Sequence, residues 1–182
     1  MKKIIIIIVI LAAISLGWYF LSPLFINKTA DLDNITNFNE CVEAGNAIME
    51  SYPQQCRIAG GKIFIEDIGN EIEKADLIKL YQPRPNQKIT SPFVISGEAR
   101  GIWFFEGDFP IFLVDWDGRI IGRGIAQAQG DWMTENFVPF KTIIEFEKPV
   151  YKNNGWLILK KNDPSDFPEH ADALEIPIIF GD

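Results

Sequence analysis

The sequence predicts an all-β main domain, a sandwich of about seven strands, behind a transmembrane helix and a small disulfide-stapled α+β segment. Three observations predict it: an uncharged stretch of 24 residues near the amino terminus, two cysteines in the segment that follows, and short β-rich runs after Leu77 with no long helical pattern among them. The chain has 182 residues, which fits one or two small domains. Charged residues make up an ordinary 23%, and the net charge of -8 disfavours a nucleic-acid partner.

Ile4 to Asn27 carries no charge and is bracketed by Lys2, Lys3 and Lys28. At about 1.5 Å per residue it crosses a hydrocarbon core of roughly 30 Å. A cleaved signal peptide competes with this reading, Ala13-Ile14-Ser15 being a weak cleavage site. Cleavage there would leave Leu16, Trp18, Tyr19, Phe20 and Leu21 as a greasy new terminus, so an uncleaved anchor over 1–28 is preferred. Lys2 and Lys3 assign the short side to the cytoplasm, while Trp18 and Tyr19 suit the far interface. Everything after Lys28 is therefore expected outside the cell membrane. That portion holds 14 basic and 25 acidic side chains, a net charge of -11, which would attract cations or basic partners.

Residues 29–36 read as a polar spacer and 37–66 as a two-cysteine segment. Asn37 can cap a short helix with Glu40 at its third position and Gly45 ending it. Cys41 lies in that helix, Cys56 follows Tyr52-Pro53, and 57–65 reads as a tiny hairpin turning at Gly60-Gly61. Zinc needs four ligands and His170 is the only histidine, while a redox pair would more often be Cys-x-x-Cys. A structural Cys41–Cys56 disulfide suits an exported segment and contributes on the order of 3 kcal/mol for a loop of this length. The runs Phe38 to Asn46, Met49 to Cys56 and Gly61 to Phe64 resemble a two-cysteine segment of uncharacterised bacterial envelope proteins, which implies a location and no activity.

Residues 67–76 are acidic, poor in large apolar side chains, and read as a linker. Over 77–182 seven strands are expected, at 77–82, 92–99, 109–116, 119–129, 137–147, 155–161 and 172–180. Phe140, Thr142, Ile144 and Phe146 alternate with Lys141, Ile143, Glu145 and Glu147, as half-buried strands do, and Leu174, Ile176, Ile178 and Phe180 share a face in the last strand. Asp117-Gly118 and Asn153-Asn154-Gly155 are turn signals. The strand at 109–116 is apolar on both faces and should be covered by another element. Gly122, Gly124, Ala126 and Ala128 form a small-residue face on which Trp132 or Trp156 could dock.

Ile89 to Pro92, Gly97 to Gly101, Trp103 to Gly107, Asp115 with Asp117-Gly118, Gly130 to Thr134, Phe137, Phe140, Asn162 to Ser165, Pro168 to His170 and Ile176-Pro177 together resemble the immunoglobulin-like domain of bacterial spore germination proteins, from about Lys88 to Phe180. The resemblance implies an extracytoplasmic immunoglobulin-like module without known catalysis, acting in adhesion or assembly. The chain lacks the cysteine pair that bridges the sheets of antibody domains.

Several residues could carry chemistry. His170 with Ser165 could be a base and nucleophile, but no Gly-x-Ser-x-Gly turn surrounds the serine; the alternative is that Glu169 and His170 tie down their loop. Glu98, Glu106, Asp108 and Asp115 could supply a glycosidase pair, though a small sandwich offers no evident cleft. Asp115 to Gly118 and Asn162 to Asp166 hold hard oxygen ligands for calcium, yet neither continues as an EF-hand, and turn chemistry explains both; no metal site or cofactor is assigned. The ligand-binding candidates are Trp103, Phe104, Glu106, Trp132 and His170. Consecutive aromatics cannot all enter one core, and an exposed ring could stack on a sugar or anchor a protein. The expected function is a non-catalytic, membrane-anchored binding or adhesion module of the bacterial envelope, with cell-wall polymer or an envelope protein as partner. The alternative is a structural subunit that self-associates through the doubly apolar strand.

Overall fold

A computed structural model describes residues 34–165 and 167–182. The expected anchor, 1–28, and the start of the spacer lie outside the described residues. Among those described, no helix is long and apolar enough to cross a membrane. The chain divides into two compact units, the first running to Glu50 and including Gln54–Phe64, the second comprising Ser51–Pro53 and Ile65–Asp182.

The first unit opens with helix α1 (Phe38–Glu43). The Asn37 side chain accepts from the Glu40 amide at 2.9 Å, satisfying one of the orphan donors of the first turn. Gly45 follows the helix at φ +79°, the left-handed conformation that ends helices most cheaply in glycine. Strands β1 (Ala47–Met49), β2 (Gln55–Arg57) and β3 (Ile63–Ile65) form a small sheet in that order. β1 has no counterpart in the sequence pattern, because three residues are too few to show a period. Ile35, Ile58 and Phe64 pack around the Cys41–Cys56 disulfide, whose Cα atoms are 6.1 Å apart. A core of this size is small, so the covalent link supplies much of what holds the unit together.

The second unit is one eight-stranded sheet: β4 (Ile78–Gln82), β5 (Lys88–Ile89), β6 (Phe93–Arg100), β7 (Asp108–Asp115), β8 (Ile120–Ala128), β9 (Phe137–Ile144), β10 (Asn154–Lys160) and β11 (Ala173–Phe180), in the order β4-β6-β9-β8-β7-β10-β11-β5. All seven expected strands are present; the eighth, β5, is a two-residue strand parallel to β11. The separate sheets of a sandwich are replaced by a curled sheet whose halves face one core. Phe146, which continues β9, lies 5.4 Å ring to ring from Phe180 in β11. In a flat sheet those strands would be four steps of about 4.8 Å apart. The halves join where β8 meets β9, at Gln127–Lys141 and Ala128–Phe140 and again at Gly122–Phe146.

The small-residue face of β8 explains this join and corrects the expected occupant. A Cβ on Gly122 would lie 3.0 Å from the Glu145 carbonyl and 3.1 Å from Phe146 Cβ, and one on Gly124 would touch Ile144. Phe146 and Ile144, not Trp132 or Trp156, fill the space. Trp156 is in register with Val114 while its neighbour Leu157 is buried, which puts the indole on the outer face. Phe109, Ile111 and Leu113 are fully buried, and Phe112 and Val114 point the other way.

The stretch read as a linker carries helix α2 (Glu71–Lys74) and is bound to β11. Asn70 donates from Nδ2 to the Ala173 carbonyl at 2.9 Å and accepts the Glu175 amide at 2.8 Å. Apart from Ile68, which is buried, the stretch is attached by polar groups and leaves no hydrophobic pattern to read, which is why the composition resembled that of a free connector.

Candidate functional site

Antiparallel pairing delivers three connections to the same end of the second unit: 101–107 between β6 and β7, 129–136 between β8 and β9, and 161–172 between β10 and β11. Every residue proposed for ligand binding lies in one of them. The loops are bound to one another. Asn162 donates from its backbone to the Trp103 carbonyl at 3.0 Å and from Nδ2 to Asp108 Oδ1 at 3.0 Å, joining the third loop to the first. Gly101 joins the first to the second, since a Cβ there would fall 1.9 Å from the Thr134 carbonyl oxygen and 2.3 Å from that of Trp132.

The aromatic run sorts itself by local geometry. A 3-10 turn over Gly101–Trp103 followed by extended backbone at Phe104 directs both Trp103 and Phe104 into the core. The Phe104 ring packs 5.3 Å from Phe109, which meets Phe140 edge-on at 4.9 Å. Buried in this way, Trp103 and Phe104 offer no surface to a ligand, which corrects the expectation placed on them. Phe105 is the member of the run that emerges. Phe105 and Asp108 exchange backbone hydrogen bonds across Glu106 and Gly107, both at positive φ, the tight two-residue turn whose twist matches a hairpin. Glu106 is thereby held exposed at the tip. Trp132 is half-buried, its ring edge against Gly107.

His170 projects from the third loop with half its side chain exposed. Its Nδ1 lies 3.1 Å from Ser165 Oγ and 3.5 Å from Asp163 Oδ2. A relay from acid through base to nucleophile needs the two ring nitrogens to face different partners, whereas here both oxygens face one. The cluster ties the loop instead. Asp163 also accepts the Ser165 amide at 2.8 Å, and the hydrogen bonds from Ser165 hold its carboxyl below the ordinary aspartate value. Beside it runs a groove of about 340 Å³ lined by Pro110, Lys161, Asn162, Phe167, Pro168 and Ala171.

The other carboxylates are dispersed. Glu98 is held by Tyr81 and Lys79 and its pKa is lowered by their hydrogen bonds. Asp115 stands at the opposite end of β7, where its Oδ1 accepts the amides of Asp117 and Arg119. Turn chemistry occupies both loops considered for calcium; Asp166 lies outside the described residues. Among those described, no three carboxylate, histidine or cysteine side chains form a metal-binding group.

A model of the immunoglobulin-like domain of bacterial spore germination matches residues 77–167. The chain belongs to this family. No curated protein and no solved structure matches. The germination-type domain is an immunoglobulin-like module of a non-catalytic fold family, and its matched span includes the first two of the three loops and the third as far as Phe167.

Sequence reasoning missed Ile102 and Phe167, which are exposed at this end beside Phe105 and Met133. The available signal was an apolar residue inside a turn-rich, acid-rich connection, where no strand period obliges it to be buried. Also legible, but not used, was the charge of the three loops. They carry seven acidic residues, Glu106, Asp131, Glu135, Asp163, Asp166, Glu169 and Asp172, against the single basic Lys161.

Proposed function

We propose that this chain is a non-catalytic binding module of the bacterial envelope, anchored by its amino-terminal segment with the germination-type domain outside, and that its acidic loop end takes a basic, partly apolar surface of an envelope protein. The observation that carries this reading is the exposure of Ile102, Phe105, Met133 and Phe167 on loops with seven acidic residues and one lysine. Exposed large side chains within a charged rim are the composition of a protein contact, and the excess of acid selects a partner of opposite sign. Full-length chain in detergent should co-sediment with sacculi that keep their attached proteins, and the double charge reversal Glu135→Lys with Glu169→Lys should abolish it. Equal pelleting with protease-stripped sacculi would reassign the partner to wall polymer. Pelleting with neither would remove the reading.

Self-association is a second reading, favoured by one observation. Phe112, Val114, Trp156, Ile158 and Pro177 are neighbours across three strands on the outer face of the sheet, and most of them remain partly exposed. Light scattering at rising concentration tests it, with Phe112→Asp as the variant that should prevent any dimer.

A further inference from the structure

The end of the sheet opposite the acidic loops has a different surface. Trp116, in the turn between β7 and β8, and Tyr151, in the connection from β9 to β10, pack at a tilt of 56° with ring centroids 5.3 Å apart. The Lys152 ammonium lies 4.5 Å over the Trp116 ring. Trp116 is 38% exposed and Tyr151 77%, Val150 is wholly exposed, and Ile120, the first residue of β8, is exposed as well. None of the four belongs to the core. The segments at this end, 90–92, 116–119, 145–153 and 181–182, hold three basic and four acidic residues. Charge is thus close to balance here and strongly negative at the other end.

We propose that this aromatic tip is a bilayer-contact surface, with Trp116, Tyr151 and Val150 entering the headgroup region of the membrane to which the chain is tethered. The proposal rests on the anchored reading of Ile4 to Asn27. Tryptophan and tyrosine concentrate at membrane interfaces because each has an apolar body and a polar edge. The Lys152 ammonium sits over the indole face, which puts a cation at the tip where lipid phosphate would lie. An anionic membrane repels the acidic end and tolerates the nearly balanced one, so charge selects which end approaches. Val150 and Ile120 bring no hydrogen-bonding group, which fits a lipid interface and not a glycan. With the tip on the bilayer, the acidic loops at the far end of the same sheet point away from it, toward a partner.

The test uses full-length chain in vesicles of phosphatidylethanolamine and phosphatidylglycerol, part of the lipid brominated near the headgroup, with tryptophan quenching as the readout. Trp116→Phe keeps a ring against Tyr151 and should lose a measurable part of the quenched emission. Val150→Asp, at a side chain that touches nothing, should lower quenching with all five tryptophans present. Trp18→Phe reports on the anchor separately. Quenching reduced by Trp18→Phe but unchanged by Trp116→Phe and Val150→Asp would overturn the tip and keep the anchor. No loss in any of the three would overturn both. A loss in Trp116→Phe with none in Trp18→Phe would uphold the tip contact while removing the anchored reading.

Discussion

At the acidic end of the sheet Asn162 binds the loop before β7 through backbone and side chain, and Gly101 lies under the carbonyls of Trp132 and Thr134. At the aromatic end the β7–β8 turn is closed by its own Asp115, which accepts the amides of Asp117 and Arg119, and Gly118 has open space around it. One end is a set of loops that hold each other; at the other, Ser91 Oγ accepts the Phe146 amide and Lys148 pairs with Asp182, but the β7–β8 turn that carries Trp116 is closed from within. Cross-tied loops can present a fixed surface of mixed chemistry, as recognition of a shaped partner demands. Exposed rings on a turn closed from within suit a contact that needs chemistry more than shape.

The contrast is sharpest in the glycines. Gly101→Ala forces a Cβ into two carbonyl oxygens and should cost about 3 kcal/mol in urea unfolding. Gly118→Ala meets only the left-handed backbone conformation and should cost about 1 kcal/mol. Equal costs would break the comparison. Asn162→Ala comes next, leaving the Asp108 carboxylate without its Asn162 donor, with an expected loss of about 1–2 kcal/mol. Amide exchange should rise in 101–107 as well as in 161–172; a rise confined to the mutated loop would mean that the loops are not coupled.

The pH response is smaller and local. Asp163 is held below its ordinary value, so its contribution is fully present above the usual carboxylate range and is lost as pH falls through the lowered value. The protection factor of the Ser165 amide should drop in that acid window, and Asp163→Asn should show the low protection at neutral pH. The smallest effect belongs to the aromatic end. Tyr151→Ser should change unfolding free energy by no more than about 0.5 kcal/mol, because the ring is exposed and outside the core. A larger loss would make the tip structural.

The strands were legible because Phe140, Ile144 and Phe146, and Leu174, Ile176, Ile178 and Phe180, recur at every second or fourth position, and these residues are the buried ones. The disulfide followed from two cysteines in one short segment whose sequence reads as exported. What stayed hidden depends on partners distant in sequence. Nothing local says that Asn70 will bind Ala173 and Glu175, or that Gly122 makes room for Phe146. In the candidate site the motif Trp103-Phe104-Phe105 was visible, but its sorting was not: a 3-10 turn sends two rings inward and one out, where a strand would have alternated them. The tip was missed because Trp116 and Tyr151 are 35 residues apart and meet only when β8 and β9 return the chain to the end of β7.

The most direct measurement places a photo-crosslinking residue at Met133 or at Val150 of the full-length chain in its own membrane. The account predicts a salt-sensitive protein adduct from Met133, lost on charge reversal at Glu135 and Glu169, and lipid adducts from Val150. Protein adducts from Val150 with lipid from Met133 would contradict it.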